Sequence, residues 1–261
     1  MMAAFSEQKI DLSTGPVHFL KGGAGPALLH LHSAAGPRLS PAIEKLSAKH
    51  TIYMPTMPGF NGTHVHTGVE NMKDLADLTG AFIRATIGKG CDVIGESFGG
   101  WIALWLAVSH PDLVEQLVLE APAGMRAKGV GGLPADPAER DRKLYAVPER
   151  APKDPSYEAA LPGNFKALMA YTGGETLDAE LLKSLPHIKA RTLLLFGTKE
   201  EVTPVEDVGR RLKSAIAHSH LSYIYGAAHA VEFDQPERVA RLVVAFLERG
   251  EAFLVPTADV A

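Results

Sequence analysis

Cys91-Asp92-Val93-Ile94-Gly95-Glu96-Ser97-Phe98-Gly99-Gly100-Trp101 is the stretch from which the fold is read. The apolar pair Val93-Ile94 leads into Gly95-Glu96-Ser97-Phe98-Gly99. Trp101, Ile102, Leu104, Trp105 and Val108 follow at mixed three- and four-residue spacings. The order is strand, tight turn, helix. A serine in such a Gly-x-Ser-x-Gly turn sits on strained backbone, and the glycines on either side let neighbouring backbone pass closely. Its hydroxyl stands above the sheet at a helix N-terminus, where the macrodipole and free N–H groups favour developing negative charge. Ser97 is therefore the candidate nucleophile.

Outward from this turn, strand and helix patterns alternate. Strands are expected at 9–12 and 17–20, joined as a hairpin through Ser13-Thr14-Gly15-Pro16, and at 27–32, 51–54, 114–120, 192–196 and 220–224. Helices are expected at 41–49, 72–87, 205–215 and 236–248. That alternation implies an α/β protein with a largely parallel sheet covered on both faces. Residues 125–189 break the rhythm, because glycines and prolines interrupt short helical pieces at 138–146, 164–171 and 177–185. Leu144, Tyr145, Phe165, Leu168, Met169 and Tyr171 give this segment apolar surface to bury. The expectation is a core made of 1–124 and 190–261, with 125–189 inserted as a helical cap.

A nucleophilic serine needs a base. Of the 11 histidines, His229 is placed best: Gly226-Ala227-Ala228-His229 follows the last strand and precedes Pro236-Glu237. Loops beyond the C-terminal ends of strands are where ligands meet an open α/β sheet.

Five motifs, in order, resemble the α/β-hydrolase superfamily. His32-Ser33-Ala34-Ala35-Gly36 is similar to its His-Gly oxyanion loop, and Met57-Pro58-Gly59-Phe60-Asn61-Gly62-Thr63 to its Pro-Gly-Phe loop. Gly95 to Gly100 resembles the nucleophile elbow. Gly197-Thr198-Lys199-Glu200-Glu201-Val202-Thr203-Pro204 resembles the acid loop, and His229 with Asp234-Gln235-Pro236-Glu237 the base loop. Ser33 replaces the usual Gly, Thr56 stands where Asp is common, and Glu200 stands where Asp is usual. The resemblance implies an α/β-hydrolase fold with a Ser97–Glu200–His229 triad. Glu120, which ends the strand before the insertion, is the rival acid, and Glu201 serves if the loop is shifted by one. The backbone N–H groups of Phe98 and Ala34 would form the oxyanion hole. His32 would hold its loop by hydrogen bonds. Met125, Met169 and Tyr171 are candidate acyl-pocket residues, and Arg126 a candidate partner for an anionic substrate group.

Composition narrows the function. A formal net charge of −4 and a pI near 6.3 give no basic footprint for nucleic acid. Cys91 is the only cysteine, so no intrachain disulfide forms. No apolar run reaches membrane-spanning length, and the N-terminus lacks a charged n-region and an apolar h-region, so a cytoplasmic location is expected. Nothing in the sequence speaks for or against an oligomer. His64 and His66 offer i, i+2 spacing without a third ligand and read as loop residues, so no metal and no cofactor is expected. The leading function is hydrolysis of small, fairly apolar carboxylic esters. The second is cleavage of a C–C bond in ring-cleavage products, whose enzymes the run Leu117 to Arg126 resembles. A non-catalytic ligand-binding relative is the third, and the pairing of Ser97 with His229 argues against it.

Overall fold

The structure, a computed structural model, describes residues 4–152 and 154–254. Residues 1–3 and 255–261 of the expected core, and residue 153 of the expected cap, lie outside the described residues. Eight strands are described: β1 Phe5–Leu12, β2 Gly15–Gly23, β3 Ala27–Leu31, β4 Thr51–Pro55, β5 Cys91–Glu96, β6 Val114–Glu120, β7 Arg191–Gly197 and β8 Ser219–Ile224. They form one sheet in the order β1-β2-β4-β3-β5-β6-β7-β8. β1 pairs antiparallel with β2 and β2 with β4, and every later pairing is parallel. Strand order reverses around β3, which lies between β4 and β5. The loops leaving β3 and β5 therefore open a crevice at the C-terminal edge of the sheet.

The helices are α1 Pro41–Leu46, α2 Met72–Thr86, α3 Phe98–Ser109, α4 Pro137–Leu144, α5 Pro155–Thr172, α6 Ala179–Ser184, α7 Arg210–Ala215, α8 Val231–Asp234 and α9 Pro236–Arg249. Side chains alternate across the strands. Val93, Leu117, Leu119 and Leu194 face the core beneath α2 and α3. Leu28, Ile94, Val118 and Leu193 face the core beneath α1 and α9. α3 is apolar all round because it is enclosed on every side: Ile102, Ala103, Leu104 and Leu106 are wholly buried. Truncating Ile102 or Leu104 to Ala would cost about 2–5 kcal/mol. The Cys91 thiol is buried in this core, which pushes its pKa up to about 12.

The rhythm breaks where the sequence breaks it. Between β6 and β7 lie α4, α5 and α6. One difference is instructive. The prolines suggested a helix at 164–171 alone, whereas α5 runs unbroken over 18 residues with Pro162 inside it. Pro155 sits in the first turn, behind an Asp154 cap whose carboxylate accepts from Ser156 N–H at 2.9 Å, a position where Pro is favourable. Pro162 removes one N–H from the ladder, and the helix tolerates that single loss. The insertion is joined to α3 through Asp178. Its Oδ2 accepts from both indoles, Trp101 Nε1 at 2.9 Å and Trp105 Nε1 at 2.8 Å. Its Oδ1 caps α6 by accepting from Leu181 N–H at 2.9 Å.

Candidate active site

β5 delivers Ser97 into the turn with φ 51° and ψ −109°, the left-handed side where a non-glycine residue is strained. Hydrogen bonds hold it there: Ser97 N–H donates to Glu120 O at 2.9 Å, and Ala123 N–H donates to Ser97 O at 2.8 Å. The flanking glycines are steric requirements. A Cβ on Gly95 would lie 2.6 Å from Gly99 O, and one on Gly99 would collide with the backbone of Leu31. The turn thus wedges between β3 and α3, leaving Ser97 as the N-cap of α3.

His229 follows β8 on a loop braced at both sides. Ala228 N–H donates to Asp234 Oδ2 at 2.8 Å, and Ala230 N–H donates to Leu144 O at 2.8 Å. Asp234 also accepts from Ala146 N–H at 2.9 Å. The His229 loop is therefore fastened to the end of α4. Glu200, after β7, meets the ring: Glu200 Oε2 lies 2.8 Å from His229 Nδ1. Its other oxygen accepts from Val202 N–H at 2.6 Å and Thr203 N–H at 2.9 Å. Burial works to raise the Glu200 pKa, but the adjacent imidazole and these donors hold it below the usual carboxylate value. Burial works to lower that of His229, but Glu200, with a further contribution from Glu96, holds it above 6.5.

The loop after β3 carries Ala34. His32 fixes it: its Nε2 accepts from Met57 N–H at 3.0 Å, so its Nδ1 carries the proton and donates to Ser33 O at 2.7 Å. Burial lowers the His32 pKa to about 4, which keeps this tautomer neutral. Asn164 of α5, wholly buried, bridges the same loops. Its Oδ1 accepts from Asn61 N–H at 2.7 Å and its Nδ2 donates to Ala35 O at 2.9 Å. The sequence reading passed over Asn164, although a polar residue on the apolar side of a helix was its signal.

Ser97, Ala34 and His229 border one narrow cavity of about 40 Å³. Leu144, Leu161 and Phe165 of the insertion form an apolar wall, and Arg38, Tyr145 and Tyr157 a polar one. A wider surface hollow of about 470 Å³ lies by His18, Asn61 and His64, but it gathers no nucleophile with a base. The four proposed substrate contacts fall outside the cavity at Ser97. Met125 is packed in the core, its backbone bridged to Leu177. Arg126 turns away to donate to Val130 O. Met169 lies on the exposed side of α5 at 56 % exposure. Tyr171 is buried, its hydroxyl donating to Pro58 O at 3.0 Å. Each is drawn off by a nearer partner or by solvent, and none is kept as a substrate contact. Glu201 is exposed. His66 is used structurally, its ring nitrogens 3.2 Å from Thr14 Oγ1 and 3.1 Å from Pro16 O.

Behind the elbow is a second polar group that the sequence reading did not assemble. His30, Glu96 and Glu120 lie on neighbouring strands and point to the same face, and Glu232 of α8 closes over them. His30 Nε2 is 3.0 Å from Glu232 Oε1. His30, Glu96 and Glu232 bring ligand-type atoms within 4.8 Å of one another, a spacing that a small cation could span. The His30–Glu232 pair already uses two of those atoms. The signal was a histidine in an otherwise apolar strand, but its partner is 202 residues away.

The family model described as "Alpha/beta hydrolase family" matches residues 23–242. The 2-hydroxymuconate semialdehyde hydrolase of Pseudomonas sp. (strain CF600) is 27% identical over 258 residues, spanning 88% of this chain and 89% of that protein. The pimeloyl-[acyl-carrier protein] methyl ester esterase of Neisseria meningitidis serogroup B / serotype 15 (strain H44/76) is 32% identical over 191 residues, spanning 64% and 73%. Among solved structures, naproxen esterase (carboxylesterase NP) from Bacillus subtilis superposes with a TM-score of 0.74 at 17% identity, covering 94% of this chain and 92% of that one.

Proposed function

The chain belongs to the alpha/beta hydrolase family, and from that premise we propose that it hydrolyses carboxylic esters through an acyl-enzyme on Ser97. The observation that carries this reading is the 2.8 Å contact between Glu200 and His229 Nδ1, on a ring that borders the same cavity as Ser97. Ser97 Oγ attacks the carbonyl carbon while His229 Nε2 takes its proton. Glu200 holds the ring's tautomer and stabilises the imidazolium. The oxyanion develops toward the N–H groups of Phe98 and Ala34. Collapse breaks the acyl–oxygen bond, and the proton on His229 goes to the leaving alcohol. Water, deprotonated by the same ring, then attacks the acyl carbon and Ser97 leaves with the proton. The insertion is a cap in this scheme. The cavity holds only a few waters, so α4 and α5 must shift to admit substrate.

C–C bond hydrolysis of ring-cleavage products is the second reading. It is favoured by the semialdehyde hydrolase relative, whose similarity spans 88% of this chain where the methyl ester esterase spans 64%. In both readings Ser97 is the attacking group. A fluorophosphonate probe should label the wild-type chain and leave Ser97→Ala unlabelled, and graded 4-nitrophenyl esters beside one ring-cleavage product assign the bond. Equal labelling of Ser97→Ala would remove the nucleophile from the scheme.

A further inference from the structure

The cavity beside Ser97 contains a guanidinium without a counter-ion at contact distance. Arg38 follows the Ala34 loop, and its guanidinium lies 4.2 Å from the centre of the Tyr157 ring and 4.8 Å from that of Phe233. One N–H donates to Tyr145 Oη at 3.1 Å. Among the described residues it forms no ion pair. The carboxylates that act on it do so from further away. Glu232 is engaged by His30 and Ser40, and Glu96, which lines the same cavity, is pushed toward its protonated form by burial and by the Glu232 charge. A largely enclosed charge is normally paired. Arg38 borders the cavity, and so does Arg140, which lies 3.7 Å from Asp141.

We propose that the substrate carries a free carboxylate in addition to the carbonyl attacked by Ser97, and that Arg38 receives it. This inference rests on Ser97 being the nucleophile. A guanidinium fork matches a carboxylate with two parallel hydrogen bonds. Two aromatic rings and the Tyr145 hydroxyl already hold it in place, so little side-chain freedom is lost on binding. Because Arg38 and Ala34 share one loop, the carboxylate and the scissile carbonyl are set at a fixed separation. The apolar wall of Leu144, Leu161 and Phe165 receives the carbon chain between them. Arg140 adds a second positive charge at the cap side.

The test compares 4-nitrophenyl hydrogen adipate with 4-nitrophenyl methyl adipate, which differ by the charge of the distal carboxyl. Wild type should show the higher kcat/KM on the half-ester. Arg38→Met should lose about 10- to 100-fold on the half-ester and stay within about threefold on the diester, with Arg38→Lys between, since a lysine keeps the charge but not the fork. Binding to Ser97→Ala, read by calorimetry, should favour the half-ester in the same sense. No charge preference in wild type, equal losses on both esters in Arg38→Met, or no preference in Ser97→Ala would each overturn the proposal. The wild-type and Ser97→Ala measurements decide it even where Arg38→Met does not fold. Loss of fluorophosphonate labelling, by contrast, would remove the nucleophile itself. Turnover of both esters without a charge preference would leave Ser97 in place and remove only the role of Arg38.

Discussion

Glu120 and Glu200 are the same residue type at the same edge of the sheet, one ending β6 and the other in the loop that follows the adjacent β7, and both are buried. Their environments are opposite. Glu200 has two backbone N–H donors on one oxygen and an imidazole on the other. Neither oxygen of Glu120 meets a donor from the backbone or from a neutral side chain. Its neighbours are the carboxyls of Glu232 and Glu96, and two carboxyls bond only by sharing a proton. Burial first, then those like charges, raise the pKa of Glu120 well above the usual value, while Glu200 is held below it. Burial therefore does not mark a catalytic acid. What separates the two is whether the fold supplies donors to the charged form.

Three measurements would sharpen or break this contrast. The largest effect is on turnover: Glu200→Gln should lose up to about 10⁴ in kcat by analogy with loss of the triad carboxylate, while Glu120→Gln stays near wild type. A crippled Glu120→Gln beside an active Glu200→Gln would reverse the assignment. The pH profile comes second. His229 must be neutral to act as base, and its pKa lies above 6.5, so kcat/KM should fall as pH drops through that value. Without Glu200 the effect of burial prevails, and the acid limb of Glu200→Gln should move to lower pH. It should not move in Glu120→Gln, and an unmoved limb in Glu200→Gln would count against the contact. Stability shows the smallest effect. A carboxyl whose folded pKa is raised stabilises fully below its unfolded value, about 4.3, and loses that contribution as pH climbs toward the folded value. Glu120→Gln escapes the loss, so the stability difference between it and wild type in urea unfolding should move in favour of the variant as pH rises above about 4.3. A difference that does not move with pH would mean that Glu120 is not held protonated.

Much of this arrangement was legible in the sequence. The alternating strand and helix periods gave the sheet and its two cores because burial on one face imposes a period. The Gly-x-Ser-x-Gly turn was readable because Gly95 and Gly99 answer local steric demands. The pairing of Glu200 with His229 was implied by the resemblance of residues 197–204 to the superfamily's acid loop, with Glu120 and Glu201 as rivals, and two backbone N–H donors hold the longer side chain in place. Arg126 was named because distance along the chain from β6 was taken for nearness in space, and Arg38, proposed instead as the carboxylate partner, was not considered. The Val130 carbonyl draws Arg126 away, whereas Arg38 borders the same cavity as Ser97. Asn164 and His30 were missed for a related reason. Each is a polar residue in an apolar context whose partners come from elements far off in the chain. Pro162 misled because proline's cost, one lost hydrogen bond and a local clash of its ring with the carbonyl four residues earlier, is one that this 18-residue helix with a capped first turn survives.

The two indoles that share Asp178 have a practical consequence. The chain has two tryptophans, and both donate from α3 to one oxygen of a residue in the insertion. The tryptophan fluorescence of the protein is therefore confined to a single joint. If the shift of α4 and α5 proposed above carries α6 with it, both emitters lose the same acceptor together, and the emission maximum should shift without any attached dye. Asp178→Asn would change the spectrum of the resting protein while leaving the groups around Ser97 untouched. A stopped-flow fluorescence change in the unlabelled chain that precedes ester cleavage would time such a shift separately from the bond-breaking step, and an unchanged emission on substrate binding would mean that α6 stays in place.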